Sequence, residues 1–99
     1  MTITKTLDGD TLTIAAEGWL DTITAPQFHD EVQDLNGAKN VILDFENLDY
    51  ISSAGLRVVL KFHKLLSGKG GALNILNPKD EVLEVFGMTG FSTFLNIKE

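Results

Sequence analysis

The run Val41-Ile42-Leu43-Asp44-Phe45 constrains this chain more than any other stretch. It is short, nearly continuous in apolar residues, and has β-branched side chains at its start. That is the pattern of a central strand, deeply buried or covered on both faces. Such a strand needs helices packed on it, and the flanking segments supply helical periodicity. On one side, Ala25, Phe28, Val32 and Leu35 share a helical face. On the other, residues 54–67 place Leu56, Val59, Leu60 and Leu66 near one stripe, widened by Val58, Phe62 and Leu65. A strand between two helices points to parallel pairing through right-handed crossovers.

The rest of the chain fits around that unit. Residues 3–7 alternate Ile3 and Leu7 with Thr4 and Thr6 and read as a strand. Asp8-Gly9-Asp10 is a hairpin turn signal, and residues 11–17 alternate Leu12, Ile14 and Ala16 against Thr11, Thr13 and Glu17. Continuing the alternation turns Leu20 inward and Trp19 outward. Thr24-Ala25-Pro26-Gln27 predicts a helix start, with Thr24 as N-cap, Gln27 completing a capping box, and Asn36-Gly37 ending the helix. Gly68-Lys69-Gly70-Gly71 stops the second helix, and residues 72–76 form a further strand. Asn77 then caps a short helix with Val82, Val85 and Phe86 inward, broken by Gly87 and Gly90, and residues 91–97 return as a last short strand. The order ββαβαβαβ predicts an α/β fold: one domain over residues 1–99, a mixed four- to five-stranded sheet, and helices mainly on one face.

Composition narrows the function. A chain of 99 residues with 43% hydrophobic residues can bury one core without staples. There are no cysteines, which rules out disulfides and thiolate metal sites and fits a reducing cytoplasm. No apolar run approaches the roughly 18 residues needed to span a bilayer. The first residues lack the basic-then-apolar order of a signal peptide. With a formal charge of −6 and only eight Lys and Arg spread along the chain, nucleic acid and anionic membranes are not expected partners. His29 and His63 have no metal-like spacing and no nucleophile at a useful offset. Gly68-Lys69-Gly70-Gly71 follows a helix and precedes a strand, the reverse of a phosphate loop. No triad, carboxylate pair or metal cluster marks an enzyme, and nothing marks a cofactor.

What stands out is the junction Ile51-Ser52-Ser53-Ala54-Gly55-Leu56, where two hydroxyls meet the start of the most helix-like segment. A helix start leaves backbone N–H groups unpaired and favours negative charge. Either serine can cap it, and a phosphate there would be tolerated within the domain.

This junction, with Gly18-Trp19-Leu20-Asp21, Thr24-Ala25-Pro26, the run 41–45, and Val85-Phe86 with Gly90-Phe91, resembles the STAS family over nearly the whole chain. That family includes bacterial anti-sigma-factor antagonists and cytoplasmic domains of sulphate transporters. The resemblance implies a cytoplasmic, non-enzymatic regulator of transcription. Its unphosphorylated form binds an anti-sigma factor that is also a serine kinase, which frees the sigma factor. The kinase then phosphorylates Ser53 (Ser52 is the runner-up) and the complex falls apart, until a serine phosphatase resets it. The chain departs from the best-known members in carrying Ser52 where they have Asp and Ala54 where they have Ser. The implied partner-binding surface centres on Trp19, Asp21, Ser52, Ser53, Gly55 and Arg57.

Other readings of these residues stay open in the sequence. Trp19 suits an interface anchor or packing over the sheet edge. Arg57, Lys61 and Lys64 form a polar stripe that either steers an acidic partner or simply faces water. Asp21 is expected to hydrogen-bond the loop before the first helix, and Asp44 to bond backbone near the Ser53 loop. An Asp44 phospho-acceptor, as in a receiver, would need more acidic residues clustered at strand ends. A different binding role on the same fold is an accessory subunit of a lipid- or anion-transport complex without a kinase.

Overall fold

The computed structural model describes residues 1–33, 35, 37–93 and 95–98. Its elements are β1 (Thr2–Asp8), β2 (Thr11–Leu20), α1 (Ala25–Gln33), β3 (Asn40–Asp44), β4 (Leu48–Ile51), α2 (Ser53–Gly68), β5 (Ala72–Leu76), α3 (Asp80–Thr89), a 3-10 turn (Phe91–Thr93) and β6 (Asn96–Lys98). Five strands run in the order β1-β2-β3-β5-β6, and β4 pairs with β2 off that path. The β1–β2 pair is antiparallel, and every other pair is parallel.

The apolar run is central as expected, flanked by β2 and β5. Its burial alternates, however. Val41 and Leu43 are fully buried, whereas Ile42 and Asp44 are half-buried. The same alternation on β2 buries Leu12, Ile14 and Ala16, and on β5 it buries Leu73 and Ile75. One sheet face therefore carries the core, and the helices bring Phe28, Val32, Val59, Phe62 and Leu66 to it. Phe28 on α1 meets Phe45 with ring centroids 6.5 Å apart.

The sheet has six strands among the described residues, not four or five, because residues 48–51 form β4. Their burial runs inside, outside, outside, inside, so no alternation announced a strand. β2 makes β4 possible. It runs on to Leu20 rather than stopping near Glu17, and at 10 residues it spans about 30 Å. Residues 11–15 pair with β3 and residues 18–20 with β4 on the same side. The register shifts between Gly18 and Trp19, where Gly18 has φ +100°. A bulge there needs a residue that tolerates positive φ, and glycine does so without strain.

Several ends differ from the sequence reading. Thr24 holds the N-cap position of α1, its carbonyl accepting Phe28 N–H at 3.0 Å, but Asp21 supplies the side-chain bonds of the turn before it. Asp21 Oδ1 accepts the N–H groups of Ile23 and Thr24, both at 3.0 Å, and its carbonyl accepts Ala25 N–H at 2.8 Å. The Thr24 hydroxyl turns back to donate to Trp19 O at 2.7 Å, and Gln27 Nε2 reaches Met1 O at 3.4 Å instead of closing a capping box. Asn36 lies outside the described residues. Asn77 adopts φ +51° and donates its N–H to Lys98 O at 2.7 Å, so the cap of α3 moves to Lys79. The Lys79 ammonium pairs with Asp49 on β4, which raises the lysine's pKa. Gly87 stays inside α3, and only Gly90 ends it. The final strand is just Asn96–Lys98, after the 3-10 turn. Asp44 accepts Glu46 N–H at 3.1 Å, closing its own turn rather than reaching the Ser53 loop.

Candidate functional site

The two serines play different parts at the start of α2. Ser52 is the N-cap, extended at φ −96° and ψ 175°. Its Oγ accepts Gly55 N–H at 3.3 Å, and its carbonyl accepts Leu56 N–H at 2.9 Å. Ser53 is the first helical residue, with an exposed side chain and no hydroxyl hydrogen bond among the described residues. The cap is therefore Ser52, and the Ser53 hydroxyl is left open to solvent.

The junction is seated by close approach to β2. Ser52 N–H donates to Leu20 O at 2.8 Å, continuing the β4–β2 pairing into the helix start. A Cβ at Gly55 would lie 2.7 Å from Leu20 Cγ and 3.0 Å from both Ile51 Cγ1 and Leu20 O. Gly55 is required for that contact rather than for its backbone angles, since no positive φ occurs there.

The same contact brings the end of β2 beside Ser53. Trp19 is 59% exposed and packs on Tyr50, ring centroids 5.4 Å apart and planes tilted by 49°. The two face each other in the β2–β4 register. Ile23, 87% exposed, projects from the adjoining loop. That loop is pinned by Asp21, whose carboxyl is held below the usual carboxylate value chiefly by the Thr24 N–H, with Ile23 N–H and the Thr24 hydroxyl adding to it against partial desolvation. Arg57, one turn after Ser53, lines a shallow cleft with Ser53, Leu56, Thr89 and Phe91.

The structure thus gathers Trp19, Asp21, Ser52, Ser53, Gly55 and Arg57 at one end of the sheet. Trp19 and Arg57 are exposed, Asp21 and Ser52 are half-buried and engaged, and Gly55 is buried. Tyr50, Ile23, Thr89 and Phe91 were not singled out as site residues. Tyr50 had no local signal: it stands opposite Trp19 only because residues 48–51 pair with β2. Thr89 and Phe91 arrive through tertiary packing and had none.

Among the described residues no group of three or more His, Cys, Asp or Glu could hold a metal ion, and no helix is long and apolar enough to cross a membrane.

Known proteins resemble this chain in sequence or in fold. BtrV of Bordetella bronchiseptica, named as an anti-sigma factor antagonist, is 43% identical over 77 residues, 76% of this chain and 66% of the relative. The anti-sigma-B factor antagonist of Staphylococcus aureus is 26% identical over 84 residues, 83% of this chain and 78% of the relative. Among solved structures, an anti-sigma factor antagonist from Thermotoga maritima superposes with a TM-score of 0.92 at 21% identity, covering 98% of this chain and 86% of that one. Unphosphorylated SpoIIAA gives 0.84 at 23% identity, covering 97% and 87%. SpoIIAA, a Bacillus cell fate determinant, is also solved in its phosphorylated form, with a TM-score of 0.76. At these identities the superpositions speak for the fold. A STAS domain profile matches residues 2–99, and with sequence and fold pointing the same way, the chain belongs to the STAS family.

Proposed function

We propose that this protein is a cytoplasmic anti-sigma-factor antagonist whose binding is switched by phosphorylation of Ser53. Its unphosphorylated form binds an anti-sigma factor with serine kinase activity and thereby frees a sigma factor. Transfer of the γ-phosphoryl group of ATP to Ser53 Oγ, releasing ADP and a proton, ends the complex, and a serine phosphatase restores it. The names of the relatives support the antagonist role. The observation that carries the switch is the division of labour at the junction. Ser52 holds the cap, while Ser53 presents an exposed, uncommitted hydroxyl at the mouth of a cleft lined by Leu56, Arg57, Thr89 and Phe91.

Phosphoserine adds about −1.5 to −2 charge at neutral pH. At the first position of a helix that charge is favourable within the domain, so the fold persists. Pressed into a packed interface, an unpaired charge costs several kcal/mol. Each ~1.4 kcal/mol is tenfold in affinity, so a moderate complex is lost. In this reading Trp19 and Arg57 contact the partner, Asp21 fixes the loop that presents Trp19, and Ser52 and Gly55 set the position of Ser53.

The test is binding to the cognate anti-sigma factor, with mass spectrometry after incubation with ATP. The expected result is one phosphate on Ser53, none on Ser53→Ala, and at least a hundredfold weaker binding of Ser53→Asp with an unchanged melting temperature. Wild-type affinity in Ser53→Asp overturns the switch. Binding without phosphorylation points instead to an accessory role on the same fold.

A further inference from the structure

The cations of this acidic chain are not scattered evenly in space. α2 carries Arg57, Lys61 and Lys64 and no Asp or Glu, in a chain of formal charge −6. Arg57 and Lys61 have no ion-pair partner among the described residues, whereas Lys5 and Lys79 pair with Glu31 and Asp49. Both free cations border an open groove between α1 and α2. The groove consists of two adjoining depressions, of ≈ 200 and ≈ 440 Å³, that share His29, Val58 and Lys61. Its floor is apolar, formed by Val32, Val58 and Phe62, and the half-exposed Leu65 closes its far end. Its near end reaches Ala54, next to Ser53. On the α1 side the lining groups are neutral or weakly basic: the His29 ring lies 2.9 Å from Gln33 Nε2. Asp30 approaches His29 at 3.7 Å but lines neither depression.

We infer that this groove receives an acidic amphipathic helix of the partner protein, extending the Ser53 surface along α2; the inference rests on the antagonist reading above. From Ala54 to Leu65 the groove runs about 16 Å, or three helical turns. That length accepts apolar anchors at i, i+3 or i+4 and i+7, with carboxylates over Arg57 and Lys61. A polyanion is disfavoured by the net charge, and three cations are too few to overcome it. A second copy of the chain cannot supply the helix. The acidic helices of this fold are α1, with Asp30 and Glu31, and α3, with Asp80, Glu81 and Glu84, and their apolar residues Phe28, Val32, Val82 and Phe86 are already buried in the core.

The test compares wild type, Lys61→Glu, Lys61→Arg and Ser53→Asp for binding to the cognate anti-sigma factor, with amide NMR spectra confirming the fold. The expected result is at least tenfold weaker binding for Lys61→Glu, affinity within twofold of wild type for Lys61→Arg, and loss of that difference in high salt. Wild-type affinity in Lys61→Glu, with Ser53→Asp weakened, overturns the groove and leaves the switch standing. The opposite pattern overturns the switch and leaves the groove standing. No binding by wild type overturns both. Self-association of the chain that Lys61→Glu abolishes assigns the groove to a second copy and overturns the inference. Because the chain has no cysteine, Leu65→Cys is a unique attachment point for a thiol crosslinker. Crosslinks into an acidic helix of the partner support the inference, and crosslinks confined to other segments overturn it.

Discussion

The two ends of α2 are built on the same device and present opposite surfaces. At the N-terminal end Gly55 lets the helix press on Leu20 and Ile51. At the C-terminal end Gly71 lets the chain pass so close to Lys39 that a Cβ would lie 2.2 Å from its carbonyl oxygen. Around the C-terminal end the backbone is fully engaged: Gly71 N–H bonds Leu66 O at 2.8 Å, and Ala72 N–H bonds Lys39 O at 3.0 Å. What it shows to solvent is Ser67, Gly68, Lys69 and Gly70, with Leu65 39% exposed just before them. The N-terminal end is as tightly seated but exposes Trp19, Tyr50, Ile23 and a free hydroxyl. Tight packing is thus common to both ends. The stacked aromatic pair with Ile23 beside it belongs to the N-terminal end alone.

Adding a methyl group at each glycine separates scaffold from site. Gly71→Ala puts a Cβ against backbone that cannot rotate away. Its expected cost is about 2–3 kcal/mol, or a melting temperature lower by on the order of 10–20 °C in a domain this size. Gly55→Ala meets side-chain atoms first and costs about 1–2 kcal/mol. The affinities should run the other way. Folded Gly71→Ala binds the anti-sigma factor like wild type, while Gly55→Ala binds more weakly because the Ser53 turn is pushed off Leu20. Calorimetry on both variants below their melting temperatures breaks the comparison if Gly71→Ala alone loses binding.

A smaller effect divides the two serines. Ser52→Ala removes the cap and should cost about 1 kcal/mol. Ser53→Ala removes an exposed hydroxyl and should stay within about 0.5 kcal/mol of wild type. Urea melts of the two variants measure this directly. Equal costs would mean that the Ser53 hydroxyl also supports the helix start, and the contrast between cap and free nucleophile would fail.

Serine numbering alone did not reveal that contrast, and the reason is physical. Pattern placed a helix start here within a residue, because Leu56, Val59 and Phe62 repeat at helical spacing. Which of two adjacent serines caps depends on where the preceding strand leaves the chain, and Ser52 is fixed by its bond to Leu20 O. That strand was itself hidden. Residues 48–51 pair only because β2 runs past Gly18, a long-range fact that local alternation does not carry. The same holds at α1. Thr24 and Gln27 have capping-box spacing, yet the Asp21 carboxylate takes the Thr24 N–H that Gln27 would have bonded. The hairpin, the buried faces and the crossovers were legible because each rests on the period of a single element. Thr89 and Phe91, beside Ser53, were not, because the period of α3 gives its buried face but not where its C-terminal end and the following 3-10 turn pack.

The smallest expected effect tests the charge at the N-terminal end. Asp21 Oδ1 gathers Ile23 and Thr24 N–H groups, and the native carboxyl is therefore held below its ordinary value of 3.8, chiefly by Thr24 N–H. A depressed carboxyl binds protons more weakly in the native state than in the unfolded one. Its contribution is therefore complete above the unfolded value and is lost as the pH falls through the lowered native value. Asp21→Asn keeps a carbonyl acceptor that caps nearly as well, so it removes the charge and little else. Wild type should melt slightly above Asp21→Asn at neutral pH, by a constant margin while the pH stays well above 3.8, and the margin should close as the pH falls below that value. A margin for Asp21→Asn that persists unchanged to the lowest pH would mean that the loop is held by geometry alone. Trp19 would then owe its presentation to the Thr24 hydroxyl and not to the Asp21 charge.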